Sequence, residues 1–441
     1  MSHITFIYPC VGRFPNTKYV RSWQMQPLSI AVLSALTPKK WDRIFFDDRL
    51  EKINFEIETN LVAISTETFT ARRSYQIAEE FRKRGVPVII GGYHATFCPD
   101  EVLEFADAVC IGEAENIWGE ILADAEQGNL SGKYQSEKLY DMKKYNVDRN
   151  IFDGKKYFKL ALIEAGRGCN YSCNFCSITS FHGGNYKYRN VEDIVSEIKK
   201  LNEKYLFFID DNMTGNFTYA KKLFEALIPL KINWVGQVTI NIGSDEELLQ
   251  LMKKSGCVGV LIGLESLNAK NLKSIKKKHN DISEYKNLLS KINKYNIAVY
   301  ATFMFGLAND SISVVEETVK FVIDEKIFMV AFNHIIPFPG TPLYIEKDNS
   351  NKLLYEKWWL SPEYRFGQAP FIPDCINSET LNDWSHRSRR TFYSIFSILK
   401  RSVNFSSNSC NIQRICFYFG INFMLRREIA QKKGLPLGEQ K

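Results

Sequence analysis

Short runs of Ile, Val and Phe alternate with segments of helical period along the first 125 residues. ITFIYP, RIFFDD, LVAIST, PVIIGG and AVCIGE each stay apolar for a few residues and stop at a turn or a polar residue. That is the pattern of strands buried on both faces of a parallel sheet. Between them PLSIAVLSAL, the shorter RLEKINFEIET, ARRSYQIAEEFRKRG and PDEVLEF read as helical segments, with Gly85 where the third one ends. Five strands with intervening helices predict a doubly wound sheet of flavodoxin type, whose ligand crevice lies beyond the carboxyl ends of the strands. Those ends carry Ser65, Thr66 and Thr68, then Gly91, Gly92 and His94, then Gly112, Glu113 and Glu115. Paired glycines after a strand let a flat or phosphate-bearing ligand approach the backbone, and they also serve as tight turns. His94 reads either as a site residue or as a structural one.

A second series begins at ALIEAG and continues through YLFFIDD, INWVGQVTI, CVGVLIGLES, IAVYATFMFG and FMVAFNHIIPF. Helices such as NVEDIVSEIKKLNE separate these strands. In it Asn190 is a candidate cap, and Val191, Ile194, Val195, Ile198 and Leu201 share one face. Six units fall short of eight, so the series predicts a partial parallel barrel with its chemistry at the carboxyl ends of the strands. The expected division is a doubly wound domain over 1–125, a polar, lysine-rich linker over 126–158, the barrel over 159–345 and a mainly helical, basic extension over 346–441. The aromatic-rich stretch 355–375 fits a wall over the barrel mouth and, equally, packing between barrel and tail.

Composition narrows the class. A hydrophobic share of 45% and a charged share of 24% are those of a globular protein, and no stretch approaches the roughly 20 apolar residues of a membrane span. The start, MSHITFIYPCVGRFPN, lacks a basic leader and a cleavable apolar segment, so the expected location is the cytoplasm. The net charge of +7 is uneven: from residue 381 onward eleven basic residues face three acidic ones, a local +8 that leaves −1 for the rest. Such a tail suits an anionic lipid surface or an acidic partner if it does not simply pack on its own protein; nucleic acid is not expected.

Three of the ten cysteines crowd into GCNYSCNFCS, with Cys169, Cys173 and Cys176 spaced three and then two residues apart directly after the first barrel strand. Three thiolates on one loop can hold three irons of a [4Fe–4S] cube and leave the fourth open. A zinc site or a ferredoxin-type cluster wants a fourth ligand; His182 is the only nearby candidate and the next cysteine is Cys257. The placement after a barrel strand argues against both.

The Cys-x3-Cys-x-aromatic-Cys spacing, with Phe175 as the aromatic, resembles the radical S-adenosylmethionine superfamily. The resemblance implies that the open iron chelates the amino and carboxylate groups of S-adenosylmethionine, which one electron cleaves to a 5′-deoxyadenosyl radical. It further implies that Asp210 and Asp211 stand where the family has a Gly-Gly-Glu loop, and that Gln237, Glu265 and Ser266 contact ribose and methionine. The stretch FMFGLAND would lie under the adenine. A flavodoxin-like domain joined to such a barrel resembles the cobalamin-binding branch of the superfamily, the class B methylases, over about residues 3–345. By that resemblance Ser65, Thr66, Thr68, Gly91, Gly92, His94, Gly112 and Glu113 form the cobalamin side. The Asp-x-His-x-x-Gly loop that supplies a lower cobalt ligand in many cobalamin proteins is absent. Either cobalamin binds without a histidine below the metal, or the domain keeps the fold and has lost the ligand.

The expected activity is C-methylation of an unactivated carbon, with an external electron donor such as flavodoxin or ferredoxin. The alternatives are a radical cyclisation, rearrangement or oxidation that uses cobalamin without methyl transfer, and a non-catalytic iron–sulfur protein. The aromatic stretch and the basic, apolar tail point to a hydrophobic small-molecule substrate.

Overall fold

A computed structural model describes residues 2–14, 24–431 and 434–440. Three basic residues counted in the tail, Lys432, Lys433 and Lys441, lie outside them. The first sheet runs, in spatial order, Trp41–Asp47, Ser2–Tyr8, Leu61–Ser65, Val88–Gly91, Ala108–Ile111 and Gly132–Gln135. Every neighbouring pair is parallel. Numbered along the chain this is the flavodoxin order 2-1-3-4-5 with a sixth strand added at the edge. The crevice therefore opens where the first and third strands part. The sixth strand comes from the segment expected to be linker. Of its four residues only Tyr134 is buried, too little apolar signal to read as a strand.

One expected helix is missing. Residues of RLEKINFEIET stay irregular beyond the turn at Arg49, because Ile53, Phe55 and Ile57 enter the core at every second position, a spacing that a helix would scatter over several faces. The other three appear as Leu28–Leu36, Ala71–Arg82 and Pro99–Phe105. Gly85 has φ +74° three residues past the second of them.

The second sheet runs Ala161–Ile163, Tyr205–Phe208, Asn233–Val238, Cys257–Glu265, Ala298–Phe305 and Met329–His334, in chain order and all parallel. This is the predicted partial barrel. Its helices bury one stripe each, as Ile194 and Ile198 do in Val191–Leu201. The Asn190 side chain does not cap that helix; its amide donates to Asp193 Oδ2 at 3.2 Å instead. Asp245 does cap Glu246–Lys254, accepting the Leu248 N–H at 2.9 Å.

The aromatic stretch packs between domains. Trp358, Trp359 and Tyr364 are buried in the core that covers one face of the first sheet. The Trp358 indole donates to Pro337 O at 3.1 Å and the Trp359 indole to Glu101 Oε1 at 2.9 Å. Helices Ser378–Phe392, Ile395–Ser402 and Ile412–Gln431 then pack against the last barrel strand, where Tyr393 Oη donates to Val330 O at 2.8 Å and buried Arg401 donates to Ile327 O at 3.0 Å. The chain returns to the first domain, where Gly438–Glu439 pairs with Gly12–Arg13 and Glu439 meets Arg73 at 2.8 Å. Among the described residues no helix is long and apolar enough to cross a membrane.

Candidate active site between two strand ends

A cleft of about 540 Å³ lies between the carboxyl ends of the first sheet and the start of the barrel. Pockets for small ligands and cofactors span about 300–1,000 Å³. Ser65, Thr66, Gly91, Gly92, Gly112 and Glu113 line one side. At Gly92, φ is +106° and a Cβ would stand 2.5 Å from Thr66 O, so any other side chain would push the backbone apart. Gly112, at φ +77°, faces open space, and its N–H donates to Thr96 Oγ1 at 2.9 Å. Apolar side chains such as Leu28, Val32 and Ile89 floor this side. Glycine walls over an apolar floor fit a broad, flat cofactor.

Two residues expected here do not line the cleft. His94 is fully buried, its Nε2 3.0 Å from Tyr75 Oη and 3.1 Å from Glu101 Oε1, within the same knot that receives the Trp359 indole. Thr68 is buried in the short turn Thr68–Thr70. Thr66 lines the cleft with its backbone, while its hydroxyl donates to Ser74 Oγ at 2.7 Å.

The opposite side is lined by residues that flank the cysteine loop, among them Gly166, Arg167 and Ile178, while Cys169, Cys173 and Cys176 themselves do not line the cleft. Gly166–Gly168 pairs antiparallel with Tyr186–Tyr188 immediately before Cys169. Gly168 has φ +86°, and a Cβ there would collide with Asn185 O. Helix Ser177–His182 starts directly after Cys176. Barrel loops pin the segment between: Asn170 Nδ2 donates to Gly215 O at 3.0 Å, Asn174 Nδ2 donates to Ser274 O at 3.2 Å, and Asn174 O accepts the Leu343 N–H at 3.1 Å. Cys173 is 7% exposed, Cys169 and Cys176 half-buried, and burial pushes the Cys173 thiol up to about 11. Among the described residues no three His, Cys, Asp or Glu side chains gather as the ligands of a single metal ion would. A cube has a different requirement, since each thiolate takes its own iron. Phe175 packs half-buried against the barrel core.

The two aspartates separate in role. Asp210 is buried, its Oδ2 accepting the Ala165 N–H at 2.9 Å, and burial holds its carboxyl well above the usual range. Asp211 lines the cleft and accepts the Gly168 N–H at 2.8 Å, with burial raising it to about 6. Both therefore brace the strand that delivers Cys169. Gln237 presents an exposed side chain at its strand end, while its carbonyl accepts the Met213 N–H at 2.9 Å. Ser266 is buried, its Oγ accepting the Asn268 N–H at 3.0 Å. In FMFGLAND, Asp310 Oδ2 accepts the N–H groups of Gly306 and Leu307 at 2.8 and 3.0 Å and so shapes that turn.

Two charged groups were not picked out in the sequence. Lys277 is largely covered, with Nζ 2.6 Å from Oε1 of buried Glu265. Burial opposes its charge, but Glu265 and the thiols of Cys173 and Cys176 outweigh that and raise its pKa. Glu265 sits at φ +65° beside a register shift, and a Cβ on Gly263 would stand 2.7 Å from Lys277 Nζ. Gly263 thus leaves room for the pair. Arg167, two residues before Cys169, meets Glu164 at 2.8 Å, Glu113 at 3.1 Å and Glu115 at 2.5 Å, while Lys187 reaches Glu113 at 2.5 Å. This ion cluster ties the loop after the fifth strand of the first sheet to the strand feeding the cysteine loop. His182 also lines the cleft, and burial lowers its imidazole to about 4, leaving it neutral at physiological pH.

The strand ends of the doubly wound domain thus face, across one cleft, residues that flank the three-cysteine loop on both sides, Gly166 and Arg167 before it and Ile178 after it. The profile of the radical SAM superfamily matches residues 163–322, and that of the B12 binding domain matches 25–122. The chain is 31% identical over 356 residues to the bacteriochlorophyllide d C-8(2)-methyltransferase of Chlorobaculum tepidum, covering 75% of this chain and 78% of that protein. It is 29% identical over 389 residues to the bacteriochlorophyllide d C-12(1)-methyltransferase of the same organism, covering 85% and 84%. In fold it is similar to the radical S-adenosylmethionine methyltransferase TsrM from Kitasatospora setae, with TM-score 0.64, 16% identity and coverage of 79% of this chain and 76% of that one. The chain belongs to the family of cobalamin-binding radical SAM enzymes, whose cofactors are a [4Fe–4S] cluster, S-adenosylmethionine and cobalamin.

Proposed function

We propose that this chain is a C-methyltransferase that acts on an unactivated carbon of a hydrophobic small molecule. The observation that carries the reading is a cleft in which the glycine-walled strand ends of the first domain face Gly166, Arg167 and Ile178, the residues that flank the cysteine loop. Methyltransferase relatives aligned over most of both chains support the same reading. Cys169, Cys173 and Cys176 would hold three irons of the cluster. Ser65, Thr66, Gly91, Gly92, Gly112 and Glu113 would border cobalamin. Bound together, these groups supply one-electron cleavage of S-adenosylmethionine and a transferable methyl group.

The chain's own residues bind, orient and exclude water. Asp210 and Asp211 brace the strand before Cys169, Arg167 fixes that strand to the cobalamin side, and Lys277 with Glu265 sets a buried ion pair beside two of the thiols. Phe175, Gln237 and Ser266 complete the S-adenosylmethionine side of the reading. Holding reactants in one water-poor geometry is the larger part of what the protein adds. Residues 1–125, 159–345 and 346–441 serve as cobalamin-binding, radical and C-terminal units, with 126–158 linking them and also lending an edge strand to the first sheet. A one-electron donor such as flavodoxin or ferredoxin, in a reducing cytoplasm, completes the system.

Reduced, cobalamin-loaded enzyme given S-adenosylmethionine with a trideuterated methyl group and a set of hydrophobic substrates tests the reading. The expected product gains one CD3 group in exchange for one hydrogen. A product of altered mass that carries no label identifies a cyclase or oxidase instead.

A further inference from the structure

Among the described residues eighteen large hydrophobic side chains stand exposed, and eight of them fall between residues 395 and 423. Chance scatter of surface apolar groups needs no explanation; a cluster of this density does. Helix Ile395–Ser402 turns Ser397, Ile398 and Arg401 into the protein and leaves Ile395, Phe396 and Leu399 outside. The longer helix Ile412–Gln431 buries Tyr418 and Ile421 on the barrel and presents Ile412 and Phe423 on its other side, with Phe417 half exposed at the edge where its ring meets Phe328. Between them Phe405 projects from the turn. Phe396, Phe405 and Ile412 are 77%, 75% and 78% exposed, so the face is not the fringe of a buried core.

We propose that this face docks on an anionic lipid surface, with the helices lying on the bilayer rather than crossing it. Charge selects the occupant. Between residues 395 and 431 the basic residues Lys400, Arg401, Arg414, Arg426 and Arg427 stand against Glu428 alone. Arg427 is exposed at the end of the long helix and Arg426 beside it donates to Tyr393 O at 3.0 Å, while Arg401 is spent inside the protein and Lys400 pairs with Asp324 at 2.7 Å. A second copy placed on the same face by two-fold symmetry would set one strongly basic tail against another, a repulsive arrangement. Exposed Phe and Ile beside Arg are what an interfacial helix inserts and what anionic head groups attract. Arg414, Arg426, Arg427 and Glu428 keep the long helix from being a span. Such docking would bring the enzyme to a substrate dissolved in the bilayer, but it does not depend on methyl transfer, and its readout needs no turnover.

The test is anaerobic co-sedimentation of the full-length, cofactor-loaded protein with two kinds of vesicle, phosphatidylcholine alone and phosphatidylcholine with about 30% phosphatidylglycerol, at low and high salt. Wild type is expected to bind the anionic vesicles at least about tenfold better, less so in high salt. The variant Phe396→Ser/Phe405→Ser/Ile412→Ser is expected to lose about tenfold or more of that binding while its cluster and cobalamin absorption stay unchanged. Should that variant misfold, Arg427→Gln removes one exposed charge and is expected to weaken anionic binding about fivefold. The proposal is overturned if wild type ignores both vesicles, if it binds them equally, or if folded variants bind like wild type. A lipid-free dimer that the triple variant turns monomeric assigns the face to a second copy and also overturns it.

Discussion

At the scale of single residues the account rests on positions where one atom decides. Cys169, Cys173 and Cys176 sit on a loop already tied down by Asn170 and Asn174, so replacing a thiol leaves the loop in place and removes an iron ligand. Each Cys→Ala variant is expected to lose the cluster's visible absorption and at least about 100-fold of S-adenosylmethionine cleavage, while still retaining cobalamin. Gly92→Ala makes the complementary cut. Its Cβ would meet Thr66 O at 2.5 Å in a left-handed backbone, displacing the cleft wall on the first domain only. The expected outcome is at least about tenfold weaker cobalamin retention on desalting, with the cluster still loaded.

At the scale of elements two contacts hold the halves of the site together. Arg167 sits half-buried among Glu113, Glu115 and Glu164 at the cleft wall, and removing it leaves these carboxylates without their shared partner. Arg167→Met is expected to cost roughly 1–3 kcal/mol in denaturation. In the protein that remains folded, S-adenosylmethionine cleavage should persist while methylated product per 5′-deoxyadenosine falls, the sign of two cofactor sites no longer held in register. Behind the first sheet, Glu101 takes hydrogen bonds from Tyr75 and Trp359 and lies 3.1 Å from His94 Nε2. Burial alone would raise its carboxyl, but the bonds from His94, Trp359 and Tyr75 outweigh that and bring it to about 2 from an ordinary 4.5. A depressed acid stabilises the fold above the unfolded value, so this share is present above about pH 4.5 and is lost as pH falls towards 2. Glu101→Gln is expected to cost about 1.5–3 kcal/mol at neutral pH in urea denaturation and to flatten the acid limb of the stability curve.

At the scale of the whole molecule, both sheets and the cysteine loop were legible in the sequence because their signals are local: apolar runs ending in turns, and three thiols within eight residues. What was not legible depends on packing at long range. One of three successive lysines, Lys277, turns in to Glu265 because Gly263 leaves space for it, and nothing in that lysine run marks which residue it is. Glu113 was read as a cofactor residue, and it lines the cleft while also serving the ion cluster around Arg167. His94, in the short helix just after a strand, points into a knot that includes Glu101 and is completed by Trp359, 258 residues on from Glu101. The aromatic stretch fitted lid and packing equally until the burial of Trp358 and Trp359 decided it.

Central to the proposed function is that this chain holds both cofactors for methyl transfer. Its most direct measurement is a visible spectrum of the cluster-reconstituted, cobalamin-supplied protein after desalting, followed by mass spectrometry of the S-adenosylmethionine products under reductant with substrate present. The account predicts retained cobalamin and equal amounts of 5′-deoxyadenosine and S-adenosylhomocysteine. Cleavage of S-adenosylmethionine to 5′-deoxyadenosine by protein that retains no corrinoid would contradict it.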